Sequence, residues 1–97
     1  MKPSQTAKDF RKEYKEIQKT TDSLNAHLNV RLKEMVANNP DAIVFTTGKI
    51  EHTAKALLGK LSLQGFNLVD IECKIEYLEA IERYAERKEK FIQGKLF

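Results

Sequence analysis

A chain of 97 residues has room for one domain, 1–97, and one modest core that buries roughly 60–68% of the unfolded surface. One cysteine, Cys73, excludes an internal disulfide, and the polar N-terminus and the lack of any run of about 18 apolar residues argue against a leader or a membrane span, so a cytoplasmic protein is expected. The net charge of +3 is uneven: residues 1–33 hold eight Lys/Arg against four Asp/Glu, and residues 67–97 hold six against seven. A basic first third suits phosphate or an acidic protein, although mixed charge on helices is ordinarily just solvated surface.

The first segment opens after Pro3, where Thr6 and Asp9 have the spacing of a capping box with Asp in place of Glu. Phe10, Tyr14, Ile17, Thr21, Leu24, Leu28 and Met35 then recur at spacings of four and three, with Arg31 in the remaining slot. Leu32 and Val36 widen this stripe beyond a zipper seam, which predicts a helix near 6–37 packed in a bundle. Unbroken, such a helix is roughly 48 Å long at about 1.5 Å per residue. Either it breaks at the poor helix formers Thr20-Thr21-Asp22-Ser23, or it projects and needs a partner.

Asn39, Pro40 and Asp41 read as cap, first helical position and dipole partner of a second helix near 40–64, carrying Ile43, Thr47, Ile50, Ala54, Leu57 and Leu61. Ile43-Val44-Phe45-Thr46-Thr47 also suits a short strand with a bend at Gly48, but a lone strand has no evident pairing partner, so the continuous helix is preferred. Gly65 suits a helix terminator, Asn67 a new cap, and Phe66 with Ile71 a hydrophobic staple, which places a third helix near 68–93 and a short apolar tail at 94–97.

At about 100° per residue the last helix is apolar on two opposed faces. Leu68, Ile71, Ile75, Leu78, Ala85 and Ile92 form one; Phe66, Cys73, Tyr77, Ala80, Tyr84 and Phe91 form the other. Glu72, Glu76, Glu79, Arg83, Glu86 and Lys90 occupy one flank, where Glu79–Arg83 and Glu86–Lys90 are spaced to pair, and Asp70, Lys74 and Lys88 occupy the opposite flank. Such a helix needs cover on both sides, and the tyrosine-bearing side is the candidate interface because aromatics are enriched at interfaces.

Little in the sequence specifies chemistry. Val44-Phe45-Thr46-Thr47-Gly48-Lys49-Ile50-Glu51 lacks the first glycine of a phosphate loop, and Ile50 stands where the metal-binding hydroxyl belongs. His27 and His52 share no metal-ligand spacing, and His52 is expected on the second helix. Cys73 is expected to be a buried, inert thiol. No catalytic, cofactor-binding or metal-binding residue is indicated, nor any small-molecule substrate. Lys8, Lys12, Lys15 and Lys19, with Arg11 beside them, form a basic stripe placed to contact phosphates. A helix-turn-helix around Gly65 would instead present Glu72, Glu76 and Glu79 to the backbone of DNA and repel it.

The terminal Gln93-Gly94-Lys95-Leu96-Phe97 resembles the pentapeptide by which bacterial replication and repair proteins dock on the sliding clamp. The resemblance implies Gln93, Leu96 and Phe97 as docking residues, and Gly94 departs from the large apolar residue usual at the second position. The reading is therefore an all-α protein: a three-segment helical bundle or hairpin with a long amphipathic N-terminal helix, completed by self-association. Its expected role is a non-catalytic module that binds itself or another helical protein, with nucleic-acid association or clamp binding as the alternatives.

Overall fold

A computed structural model describes residues 5–17, 22–45 and 50–95, with side chains to residue 89. The capping box forms: the Asp9 carboxylate accepts from the Thr6 amide (3.2 Å) and hydroxyl (3.1 Å), and the Asp9 amide donates to Thr6 Oγ1 (3.4 Å). It starts helix α1, Ala7–Ile17, which buries Ala7 and Phe10. Helix α2, Asp22–Asn38, begins inside the run of poor helix formers and buries Leu24, Asn25, Leu28, Leu32, Met35 and Val36. Residues 18–21 between them, with Lys19 and Thr21, lie outside the described residues. Both helices pack on the last one, so α1 is a wall of the core rather than a projecting arm.

The second predicted segment departs from expectation. Asn39 does not open a helix; it closes α2, with its amide donating to the Met35 and Val36 carbonyls (2.9 and 3.2 Å) and its Nδ2 donating to the Met35 carbonyl (3.1 Å). Strand β1, Ile43–Phe45, then pairs antiparallel with strand β2, Glu51–Thr53, in the register Ile43 to Thr53, Val44 to His52 and Phe45 to Glu51. The missing partner strand is the segment that follows, which the helical reading had absorbed. Within the described residues of 40–53, β-branched and aromatic preference prevails over the apparent helical spacing, and Ile43 and Ile50 lie exposed instead of sharing a buried stripe. His52 accordingly stands on β2. Thr46, Thr47, Gly48 and Lys49 lie outside the described residues.

Thr53 caps helix α3, Ala54–Gln64, by accepting from the Ala56 amide (3.2 Å), and α3 buries Ala54, Leu57 and Leu61. Gly65 ends it as expected of a terminator, at the positive φ of +88° that suits glycine, but with ψ 111° it stands outside the left-handed helical well. A 3₁₀ turn at Phe66–Leu68 follows, so the last helix starts later than predicted, and Asp70 rather than Asn67 caps it through the Glu72 amide (3.2 Å). Helix α4, Ile71–Lys95, runs through Gly94, which therefore makes no break before a tail. It is the hub: α1, α2 and β1 all pack against it, and Ile71, Lys74, Ile75, Leu78 and Ile81 are buried on it. Among the described residues the build is mostly helical with one small two-stranded sheet, and the radius of gyration is 13.8 Å.

Candidate interaction surfaces

The α1–α4 seam fixes the first charged groups. Both oxygens of the Glu82 carboxylate accept from the Ala7 amide (3.2 Å), serving the otherwise unpaired donors and positive end of α1. Burial raises the Glu82 pKa, against the Ala7 bond and the Arg31 charge, which lower it. One turn along, Arg11 bonds Glu79 at 2.6 Å, and Arg83 reaches the same carboxylate at 3.5 Å, forming the expected i,i+4 pair. Arg11, one of the residues predicted to contact phosphate, is thus paired with Glu79 in the free chain. Lys8, Lys12 and Lys15 remain exposed on α1, while Lys19 lies outside the described residues.

The tyrosine-bearing face of α4 is partly covered by its own chain. Phe66, Cys73, Tyr77, Ala80 and Tyr84 are all half-buried, and all except Cys73 are aromatic or aliphatic side chains packed against the core. Burial pushes the Cys73 thiol pKa up, and the carboxylates of Asp70, Glu76 and Glu72 push it further. Tyr77 is raised for the same first reason. The side chains of Phe91, Gln93 and Lys90 are not described, and Leu96 and Phe97 lie outside the described residues. The opposite face buries Ile71, Ile75 and Leu78, but its first member, Leu68, sits exposed on the 3₁₀ turn.

A residue that the sequence placed on a flank of α4 with Asp70 and Lys88 is buried. Lys74 has 0% of its surface exposed. Its ammonium donates to Asn25 Oδ1 (2.5 Å) and Asn29 Oδ1 (2.8 Å), one turn apart on α2, and it lies 5.7 Å from the centre of the Phe66 ring. Asn67 Oδ1 accepts from the Nδ2 groups of both asparagines (3.3 Å each), and Lys33 covers the Phe66 ring at 4.9 Å. The cluster ties α2, the 3₁₀ turn and α4 together without a carboxylate among its bonds. Burial lowers the Lys74 pKa to about 8. The available signal was weak: Lys74 lies three residues from Ile71 and four from Leu78, in phase with the buried stripe, and Asn25 abuts the stripe of α2.

The hairpin segment exposes apolar side chains. Phe45 is 62% exposed, Ile50 56% and Ile43 38%, while Val44 is buried against the core. The Ala54 amide donates to the Ala42 carbonyl (2.7 Å), which fixes the parity of the ladder. Bonded pairs recur at every second residue, so Val44 pairs with His52, and the N–H and C=O groups of Ile43 and Phe45 turn away from β2. Among the described residues the sheet has two strands, so this outer edge of β1 has no third strand on it.

No group of three or more His, Cys, Asp or Glu side chains arranged to hold a metal occurs among the described residues, and none of their helices is long and apolar enough to cross a membrane. Compared with models of protein families, with curated proteins and with solved structures, the chain matches none.

Proposed function

We propose that the chain is a non-catalytic protein–protein interaction module that associates with a second copy of itself, in the cytoplasm. The observation that carries this reading is the pair of exposed apolar side chains Ile43 and Phe45, two residues apart on one face of β1, since exposed apolar surface on a small chain marks association sites. It displaces the emphasis from the α4 face around Tyr77 and Tyr84, whose side chains already pack in part on their own core. That face stays in the proposal as the second candidate surface.

The test is solution mass by light scattering over a wide concentration range, for the wild type, Phe45→Asp and Tyr84→Asp. A dimer that grows with concentration and is lost in Phe45→Asp supports the hairpin surface. Loss in Tyr84→Asp alone moves the interface to α4, and a monomer at every concentration defeats self-association. In that event a steeply salt-dependent affinity for random duplex would favour phosphate contacts by Lys8, Lys12 and Lys15.

A further inference from the structure

We propose that two copies join by antiparallel pairing of β1 with β1 about a two-fold axis at Val44, giving a four-stranded sheet in the order β2, β1, β1, β2; this rests on the self-association reading above.

The parity of the hairpin selects this arrangement. The outward N–H and C=O groups of β1 belong to Ile43 and Phe45, and a two-fold axis at Val44 sets Ile43 of one copy opposite Phe45 of the other. Each such pair exchanges both of its backbone bonds, so the four outward polar groups of each strand find partners. The same symmetry places each exposed Ile43 side chain beside an exposed Phe45, a cross-strand pair of the stabilising aromatic with β-branched kind. The contact is isologous, using one patch twice.

The alternative edge does not do this. Pairing β2 with itself about His52 would set Glu51 opposite Thr53, with no apolar contact. Edge strands that must stay solitary carry lysine, proline or a bulge, and Ile43-Val44-Phe45 carries none of these. A ladder of three residues per strand is also marginal by itself, and doubling the sheet relieves that.

The contact area sets the strength. Two short strands and their outer side chains cover much less than the about 800 Å² per partner of a standard interface. The dimer is therefore in exchange with monomer rather than obligate, and its population follows concentration.

The experiment uses full-length Ile43→Cys and Phe45→Cys, each with Cys73→Ser, under mild oxidation. Residues 43 and 45 of opposite copies form a bonded pair with Cα atoms about 5.5 Å apart, inside disulfide range. Like residues lie diagonally at roughly 7–8 Å, at or beyond the limit. Mixing the two variants should give a cross-linked dimer several-fold faster than either gives alone. Phe45→Lys should lose the dimer while keeping its circular dichroism spectrum and melting temperature. A wild type that dimerises by light scattering, combined with cysteine mixtures that show no such preference, overturns the β1 pairing and leaves self-association standing. A wild type that is monomeric throughout overturns both.

Discussion

A buried ammonium held by two amides has a pH signature. Lys74 releases its proton at about pH 8 in the folded chain and at 10.5 when unfolded, so between these values the unfolded state binds more protons. Stability contributed by this site therefore rises with pH across that window and is at its least below it. Cys73 and Tyr77 act in the opposite sense, because their raised values mean that folding holds their protons and stability falls as pH climbs past their unfolded values. The Lys74 effect is isolated by comparison with Lys74→Met. In urea denaturation from pH 7 to 10.5, wild type should gain on the variant by on the order of 3 kcal/mol at most. A flat difference would mean that water reaches the amine. Neighbouring asparagines matter separately: Asn25→Ala removes one of two acceptors from a desolvated charge and should cost about 2–3 kcal/mol in the same assay.

Among the elements, the turns decide where helices stop. Gly65 sits at φ +88°, where a Cβ would meet Leu68 only at ordinary contact distance, so any penalty on substitution comes from the backbone rather than from crowding. Gly65→Ala should lower stability by about 1–2 kcal/mol, measured by thermal melting, with the fold retained. This position, the Thr6–Asp9 cap and the Glu79–Arg83 pair were legible in the sequence because each is set by neighbours a few residues away. The hairpin was not: helical spacing at Ile43, Ile50, Ala54 and Leu57 competed with β preference, and pairing of 43–45 with 51–53 is a tertiary fact. Lys74 was not legible either, since its acceptors lie 49 and 45 residues away on another helix. The apolar periodicity of α4 marked Ile71, Ile75 and Leu78 of its core face but missed the buried Ile81 and included the exposed Leu68, and it says nothing about which side chains a hairpin elsewhere leaves in solvent.

For the molecule as a whole, α4 is the surface on which the other elements meet. α1, α2 and β1 each bury apolar side chains against it, while α3 packs on α2 and the hairpin. A fragment ending at residue 70 keeps α1 to α3 but loses Ile71, Ile75, Leu78 and Ile81 from the core. It should show little helix by far-ultraviolet circular dichroism, since short amphipathic helices owe most of their stability to tertiary packing. A fragment with native-like helix content would show that α2 and α3 form a core without the hub.

The Ala7–Glu82 contact closes a span of 75 residues. A ribosome makes α1 first and α4 last among these elements, so the apolar stripes of α1 and α2 emerge before the helix they pack on. Burial of the α1 and α2 stripes against α4 therefore waits until the hub clears the exit tunnel. Until then those stripes, and the unguarded strand edge with them, are open to whatever holds nascent chains apart.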